Sequence, residues 1–255
     1  MRISPEQVAQ YHDEGYTILE RVIPEKHLEA LRTEAQHHID LMHAEMDTQG
    51  TDTLGISHRD KRYFISNKHP NSEALKGFLF SDFMAEITRA LLGDEVYLFY
   101  EQYVIKAAEK GMKFSWHQDS GFVNFEHSAY LSCWCALDDM TEENGTIYVL
   151  PYNRAGTREL VEHVKEEGTN DKVGYHGTDP GIPVIVPAGS IALFSSLTFH
   201  SSGTNTTPNM RRSYLAQYSA EPMGNDDVKK GAKTLAVPFI KDGRRIYGSE
   251  VAAES

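Results

Sequence analysis

The spacing of apolar residues separates a helical first third of the chain from a remainder rich in strands. Ser4-Pro5-Glu6-Gln7 combines an N-cap serine, a proline at the first helical position and a glutamine three residues after the cap, which predicts a short helix. This helix runs to about Asp13, and Gly15 ends it. A strand is predicted at residues 16–19, and Pro24 opens a long amphipathic helix. Its apolar positions are Leu28, Leu31, Ala35, Ile39 and Met42.

The pattern changes after the second helix. Residues 47–71 are mostly polar and are predicted to be irregular, and Ser81 or Asp82 then caps a helix that ends at Gly93. Apolar and aromatic runs between turn residues predict strands from there on. The predicted strands are residues 96–107, 114–116, 129–137, 146–150, 184–186, 191–194 and 213–219. Helices followed by strands indicate a mainly β protein, an antiparallel barrel or jelly roll buttressed by N-terminal helices.

The length of 255 residues suits a single domain, which we expect to span residues 1–255. Within it we predict a mostly helical buttress (1–93), a jelly-roll core (94–220) and a C-terminal extension (221–255). The polar stretch 152–183 is too long for a hairpin loop. Two interpretations of it stay open: a lid over a site, or a solvated insertion with a short helix near residues 158–167.

Charge and cysteine content exclude several classes of protein. The net charge of -12, from 25 basic and 37 acidic residues, disfavours nucleic-acid and anionic-membrane partners. No apolar run approaches the ~20 residues of a membrane span, and the start lacks a signal peptide, so we expect a cytoplasmic protein. Cys133 and Cys135 share one face of a predicted strand and are expected to be reduced and buried. Oligomeric state is not predicted by these features.

The candidate chemistry begins with the pattern H-x-D, which together with a distant histidine is typical of a 2-His-1-carboxylate iron site. His38-Ile39-Asp40 lies in the amphipathic helix, where residues two apart point to different sides. His58-Arg59-Asp60 lies in a polar, turn-like stretch. His117-Gln118-Asp119 instead follows the predicted strand 114–116, and in an extended chain residues two apart project from the same face. This third motif is therefore the candidate for binding a metal ion.

The third ligand is expected from another strand. The downstream candidates are His127, His163, His176 and His200. His200 is the best placed, because it follows the predicted strand 191–194 and precedes Arg211-Arg212. A dicarboxylate co-substrate that chelates iron at one end leaves a second carboxylate, which requires a buried arginine. Strand alternation alone leaves Arg211 and Arg212 as equal candidates.

Motifs along nearly the whole chain resemble those of the phytanoyl-CoA dioxygenase family of Fe(II)/2-oxoglutarate oxygenases. They are Glu6-Gln7 to Pro24 with Asp13-Glu14-Gly15-Tyr16, Trp116-His117-Gln118-Asp119, Glu143-Asn144-Gly145-Thr146 with Pro151, and His200-Ser201-Ser202-Gly203-Thr204-Asn205 through Arg211. One departure concerns the hairpin, where the family's usual Pro-Gly-Ser-His reads Pro151-Tyr152-Asn153-Arg154. The resemblance implies a double-stranded β-helix, which is a cupin-like jelly roll.

The resemblance also implies a cofactor and two co-substrates: Fe(II) held by His117, Asp119 and His200, with 2-oxoglutarate and O2. In the family the co-substrate arginine lies eleven residues after the distal histidine, and 211 − 200 = 11 selects Arg211. Further candidates for holding 2-oxoglutarate occupy matching positions on the neighbouring strands and turns. These are Trp134, Ser202, Gln102 and Lys106.

The reaction implied is hydroxylation of an unactivated C–H bond of a small-molecule metabolite, with release of succinate and CO2. Halogenating relatives lack the metal-binding carboxylate, whereas Asp119 is present here. Substrate contacts are expected from Phe122 and Phe125, and from Arg62 with Tyr63. The alternative is a cupin-like metal-binding protein that acts as a sensor, isomerase or hydrolase. The arginine discriminates between the two, because only the oxygenase needs an anchor for a dicarboxylate.

Overall fold

A computed structural model describes residues 2–109, 112–166, 171–225 and 233–247. Its helices are α1 (Pro5–Glu14), α2 (Glu25–Gln49), α3 (Glu73–Leu79), α4 (Asp82–Leu92) and α5 (Tyr152–Ala155), with 3-10 turns at His69–Asn71 and Asp119–Phe122. Its strands are β1 (Tyr16–Leu19), β2 (Thr53–Leu54), β3 (Ser57–His58), β4 (Arg62–Ser66), β5 (Val96–Lys106), β6 (Phe114–His117), β7 (Leu131–Ala136), β8 (Ile147–Leu150), β9 (Val164–Lys165), β10 (Lys172–Val173), β11 (Ile182–Pro183), β12 (Ile191–Ser195), β13 (Phe199–Ser202), β14 (Arg211–Ser219), β15 (Val237–Lys241) and β16 (Arg244–Arg245).

The strands form two main antiparallel sheets. The larger sheet has the order β1-β12-β7-β14-β5-β4-β3-β2, and β15 also pairs with β5. The smaller sheet has the order β11-β8-β13-β6. Strands from the predicted buttress (β1 to β4) and from the predicted C-terminal extension (β15) therefore join the same sheet as the core strands.

The helix boundaries follow from capping. Ser4 and Gln7 form a complete capping box at the start of α1, as predicted. Gly15 ends α1 at φ 86, a left-handed conformation that glycine adopts without steric cost. The carbonyl of Gly15 then accepts hydrogen bonds from the Ser195 amide (2.9 Å) and the Thr198 hydroxyl (2.7 Å). The end of α1 is thus attached to the turn before the strand that carries His200.

Side-chain alternation along the strands divides the interior into two layers. Cys133 and Cys135 on β7 face the helices, in the core built around α2, α3 and α4. Trp134 lies between them and faces the smaller sheet, where it packs with Val149 and Phe194. The larger sheet is therefore covered by helices on one face and by the smaller sheet on the other, and the two faces bury different sets of side chains.

The central strand β5 shows the same division with charged and polar residues. Glu101 faces the helical side and is fully buried. Its carboxylate accepts hydrogen bonds from the backbone amides of Lys68 and His69 (the latter 3.0 Å) and from the Tyr214 hydroxyl (2.9 Å). It therefore ties the 3-10 turn before α3 to the middle of the sheet.

We expect Glu101→Gln to lower the free energy of unfolding by about 2–4 kcal/mol, because an amide nitrogen would replace an oxygen that accepts buried N–H or O–H groups. Urea unfolding followed by circular dichroism measures this difference. The matched control is Glu29→Gln on the exposed side of α2, which should change stability by less than about 0.5 kcal/mol. Equal effects of the two substitutions would contradict the assigned role.

Two local predictions were wrong, and one of the two open interpretations of residues 152–183 lacks its helix. Residues 47–71 are not irregular, because β2 to β4 lie there and β4 pairs with β5. The strand predicted at 184–186 lies at Ile182–Pro183, because its partner β8 begins at Ile147 and the ladder ends there. Residues 158–166 contain no helix; residue 167 lies outside the described ranges. Their backbone groups bond elsewhere, as described below. Within the described ranges, no helix is long and apolar enough to cross a bilayer.

Candidate metal centre

Three side chains converge between the two sheets. His117 ends β6, Asp119 begins the following 3-10 turn, and His200 lies on β13 directly opposite His117 in the ladder. Gln118 between the first two residues is extended (φ -107, ψ 138), so both side chains project to the same side. The Asp119 Oδ1 atom lies 3.7 Å from His117 Nε2 and 3.5 Å from His200 Nε2. One potential ligand atom from each residue falls within 4.8 Å of the others.

Backbone carbonyls orient both imidazole rings. His117 Nδ1 lies 2.7 Å from the Ser115 carbonyl oxygen, and His200 Nδ1 lies 3.1 Å from that of Thr198. A ring nitrogen that faces a carbonyl must carry the proton, so Nε2 keeps its lone pair on both rings. Burial and the neighbouring His117 lower the pKa of His200 to about 4, which keeps this ring neutral at pH 7. Neutral Nε2 atoms are the form that binds a metal ion.

The carboxylate of Asp119 is held from behind. Its Oδ2 atom accepts hydrogen bonds from the Ser132 hydroxyl (2.6 Å) and from Gln217 Nε2 (2.9 Å), while Oδ1 faces the histidines. Burial alone would raise the pKa of Asp119, but His200, His117 and the Ser132 hydrogen bond together lower it to about 2. The group is therefore an anion with one oxygen fixed and the other directed at the histidines.

Sequence reasoning missed Ser132 and Gln217. Ser132 lies on β7 and Gln217 on β14, and the two strands pair so that these residues are direct partners. The sequence offered one signal. Alternate residues of a strand face the same side, so Ser132 shares a face with Trp134, and Gln217 shares a face with Arg211. Such partners commonly fix the orientation of a metal ligand.

We expect Ser132→Ala to raise the Kd for Fe(II) about 10- to 100-fold, the usual cost of losing a hydrogen bond to a metal ligand. Anaerobic metal titration measures this change. The control is Ser196→Ala, a buried serine that bonds Ser120 instead of the carboxylate and should leave the Kd for Fe(II) unchanged. If Ser132→Ala leaves the Kd for Fe(II) unchanged, Ser132 does not position Asp119 for metal binding.

A cavity of about 240 Å³ opens beside the three side chains. Of the predicted residues, Trp134, Ser202, Gln102, Phe122 and Phe125 line it. Cys133 and Cys135 face away from it and are free thiols, as predicted.

Arg211 and Arg212 have different environments. The Arg211 side chain is buried, and its terminal nitrogens donate to the carbonyls of Val104 (3.3 Å) and Gly145 (2.8 Å) and to Ser213 Oγ (2.9 Å). Its Nε atom is buried and has no hydrogen-bond partner among the described residues. Arg212 instead pairs with Asp138 at 2.6 Å in a partly exposed position.

The guanidinium of Arg211 lies close to the cavity. Its central carbon is 5.7 Å from the centre of the Trp134 ring, which lines the cavity. Burial lowers the pKa of Arg211 to about 10, which still leaves it charged at neutral pH. Gly145, which receives one Arg211 hydrogen bond, has φ 75, and a side chain there would collide with the Gly203 carbonyl. This explains the glycine of the hairpin motif.

Lys106 lies beside Arg211 on the same rung of the sheet, and Arg62 lies on its other side. The Lys106 ammonium donates to Ser202 Oγ (2.8 Å) and to the Gly203 carbonyl, and burial with the two arginines holds its pKa well below the usual value. Arg62 forms a buried ion pair with Asp171 at 3.5 Å. This rung carries three buried basic side chains, of which Arg62 is paired with a carboxylate, so it favours an additional anion.

Two predicted substrate contacts lie elsewhere. Tyr63 is buried on the helical side, and its hydroxyl lies 2.8 Å from His43 Nε2. Arg62 does not border the cavity but packs over Phe64, 5.4 Å from the ring centre. Both residues face structural partners, so neither has the position that was predicted for it.

The segment after α5 packs against the H-x-D motif. The Gln118 amide donates to His163 Nε2 (2.9 Å), and its side chain bonds the Glu159 carbonyl (2.9 Å) and the Val161 amide (3.0 Å). Because these backbone groups bond Gln118, they are not available to a helix, and residues 158–166 contain only the short strand β9. The altered hairpin Pro151-Tyr152-Asn153-Arg154 begins α5, and Arg154 pairs with Asp179.

Comparison with known proteins identifies the family. The family model of phytanoyl-CoA dioxygenase (PhyH) matches residues 11–213. The peroxisomal phytanoyl-CoA dioxygenase of Rattus norvegicus is 22% identical over 99% of this chain and 79% of its own length. The ectoine dioxygenase of Bordetella bronchiseptica is 26% identical over 86% of this chain and 76% of its own length.

A solved structure confirms the predicted cupin-like jelly-roll fold. The epimerase SnoN, crystallised with Fe3+, alpha ketoglutarate and nogalamycin RO, superposes with a TM-score of 0.64 at 19% identity. The match covers 93% of this chain and 96% of that one. The motifs predicted this relationship, and the chain belongs to the phytanoyl-CoA dioxygenase family of iron- and 2-oxoglutarate-dependent oxygenases.

Proposed function

We propose that this protein is a dioxygenase that hydroxylates an unactivated C–H bond of a small-molecule metabolite and converts 2-oxoglutarate to succinate and CO2. The observation that carries the proposal is the pairing of a His-Asp-His group with a buried arginine beside one cavity. His117, Asp119 and His200 would hold Fe(II), and Arg211 would hold the remote carboxylate of 2-oxoglutarate.

The donor set fits a divalent iron ion. Two neutral imidazole nitrogens and one carboxylate oxygen surround a single point from one side, and the cavity leaves the other side open. Iron bound in this way supplies the oxidative chemistry when 2-oxoglutarate and O2 are present. The remaining contributions come from the protein: it fixes the three ligands, neutralises the co-substrate and keeps the cavity apolar.

The unpartnered Nε of Arg211 supports the choice of a dicarboxylate. A buried donor without an acceptor is costly, and a carboxylate that approaches the guanidinium would satisfy it. Trp134 covers the guanidinium, and Lys106, on the same rung as Arg211, bonds Ser202 and is close enough to orient the same anion. Gln102 is less suited to this role, because its amide nitrogen already donates to Ser66 (2.8 Å) and Tyr100 (3.1 Å).

Hydroxylation is favoured over halogenation because Asp119 fills the carboxylate position and is itself fixed by Ser132 and Gln217. The cupin-like alternative without oxidative turnover needs no arginine for a second carboxylate. It would leave the Arg211 Nε without a function.

The test is an anaerobic titration of the metal-free protein with Fe(II) and then 2-oxoglutarate. The iron chelate of 2-oxoglutarate produces a visible charge-transfer band, and we expect this band to saturate at one equivalent of each. Metal binding without the band would favour the cupin-like alternative. If the band forms, succinate release across a substrate panel tests the hydroxylation.

A further inference from the structure

We propose that the part of the substrate that enters the cavity is uncharged and mostly apolar, and that it offers one neutral hydrogen-bond donor. This inference rests on the proposed function, since it assumes that the cavity beside the His-Asp-His group also receives the substrate. It names a chemical class of substrate: a small, neutral ring or branched chain with a hydroxyl or amide N–H, in contrast to carboxylates, phosphates and ammonium compounds.

The first support is the absence of unassigned charge. Among the described residues that line the cavity, the only side chains that can carry a formal charge are His117, Asp119 and His200. Of the nearby cations, Lys106 and Arg211 stand on the rung assigned to the co-substrate. Lys172 does not line the cavity; its Nζ atom lies 5.3 Å from the centre of the Phe122 ring and donates to the Gly121 carbonyl. A charged substrate buried here would find no unassigned counter-ion among the described residues that line the cavity, and its desolvation would be strongly unfavourable.

The second support is the wall beside Asp119. Phe99, Tyr130 and Met223 form a separate apolar cluster, with Phe125 and Val123 packed against it. The rings of Phe99 and Tyr130 lie 4.6 Å apart and pack against each other, so they do not form an open cage for an ammonium group. This wall offers an apolar surface that is best covered by an apolar substrate.

The third support is a neutral amide acceptor in the cavity wall, Gln102. The Tyr100 hydroxyl donates to Ser66 Oγ at 2.6 Å, and the Gln102 amide nitrogen donates to both residues. These donors are therefore used within the protein, whereas the Gln102 carbonyl oxygen accepts no hydrogen bond from the described residues and lines the cavity through its side chain. An acceptor of this kind pairs with an O–H or N–H group and repels a carboxylate.

Size limits the substrate further. The cavity of about 240 Å³ must accommodate both the co-substrate and the reacting part of the substrate. This is below the ~300–1,000 Å³ usual for drug-sized ligands. The reacting part should therefore be no larger than about one small ring.

The test uses three probes of matched size: cyclohexanecarboxamide (neutral), cyclohexanecarboxylate (anionic) and cyclohexylammonium (cationic). Each is titrated anaerobically into the protein loaded with Fe(II) and 2-oxoglutarate, and binding is followed by the change in the charge-transfer band and by thermal shift. We expect the Kd of the neutral probe to be at least about 10-fold lower than that of either charged probe. Equal or tighter binding of a charged probe, or no saturable binding of the neutral one, would overturn the proposal.

Failure of the proposed function can be told apart from failure of this inference. If the proposed function is wrong, the charge-transfer band is missing before any probe is added. In that case the neutral and ammonium probes are titrated by calorimetry into the protein loaded with Fe(II) alone, so that the metal neutralises Asp119 as in the main test. The neutral probe must again bind more tightly than the ammonium probe.

A charge introduced into the wall provides the matched variant. Phe125→Asp should weaken binding of the neutral probe about 10-fold and make the ammonium probe the tightest of the three, while the band with 2-oxoglutarate persists. Leu41→Asp, on the exposed side of α2, is the control and should leave all three affinities unchanged. If Phe125→Asp does not fold, Phe125→Ala replaces it and should weaken the neutral probe alone. An unchanged order of affinities in Phe125→Asp would refute the inference.

Discussion

Arg211→Ala should raise the Kd for 2-oxoglutarate about 100-fold, while the Kd for Fe(II) stays within about 3-fold of the original value. The reason is the unpartnered, buried Nε of this arginine, which is available to a carboxylate in the absence of any competing acceptor. Hydrogen bonds between charged groups contribute about 1.5–3 kcal/mol, and the upper value corresponds to this loss. The charge-transfer band, titrated with 2-oxoglutarate at saturating Fe(II), measures it.

The adjacent residue gives the matched control. Arg212 is next to Arg211 in the same strand but pairs with Asp138 away from the cavity, so Arg212→Ala should leave the Kd for 2-oxoglutarate unchanged. Arg211→Lys keeps the positive charge and should recover part of the affinity for 2-oxoglutarate. This variant separates the loss of the charge from the loss of the hydrogen bond to the Gly145 carbonyl. If neither Arg211 variant changes the Kd for 2-oxoglutarate, the non-oxidative alternative is supported.

His200→Ala is expected to raise the Kd for Fe(II) by more than about 100-fold and to abolish the charge-transfer band. The substitution removes one of only three ligand atoms, a larger change than the loss of an outer hydrogen bond to Asp119. His58→Ala is the control, because His58 belongs to the H-x-D motif at residues 58–60 and bonds Thr53 outside the cavity. Equal loss of iron binding in the two variants would contradict the assigned ligand set.

The convergence of His117, Asp119 and His200 was predictable from the sequence because local geometry decides the direction of two of them. His117 and Asp119 point the same way since Gln118 is extended, although the strand itself ends at His117. His200 was found by its position along the chain, but its own strand, β13, was not predicted: three of its four residues are polar, and it follows closely on β12. The contact between His117 and His200 depends on the register of two distant strands.

The supporting residues could not be predicted, because their roles depend on pairing between segments far apart in sequence. Ser132 and Gln217 meet Asp119 only because β7 and β14 pair in one particular register. The environments of Arg211 and Arg212 likewise follow from which face of β14 turns inward, and a shift by one residue would exchange them. The short helix near residues 158–167, part of one of the two open interpretations of the insertion, is absent from residues 158–166 for a similar reason: the Gln118 side chain, far away in sequence, bonds the Glu159 carbonyl and the Val161 amide.

Gln118 connects the metal site to the segment 159–163, so opening of this segment and binding of a metal ion are energetically linked. Three hydrogen bonds join this residue to Glu159, Val161 and His163, so lifting the segment would cost about 3 kcal/mol and leave the open form populated below about 1%. Any such opening also releases the backbone between two metal ligands. The two equilibria are reciprocal. If opening the segment raises the Kd for the metal ion by some factor, a bound metal ion lowers the opening equilibrium constant by the same factor. The sequence leaves this insertion open as a lid or a solvated insertion; we expect its attachment at Gln118 to strengthen with iron loading by the factor by which its opening weakens iron binding.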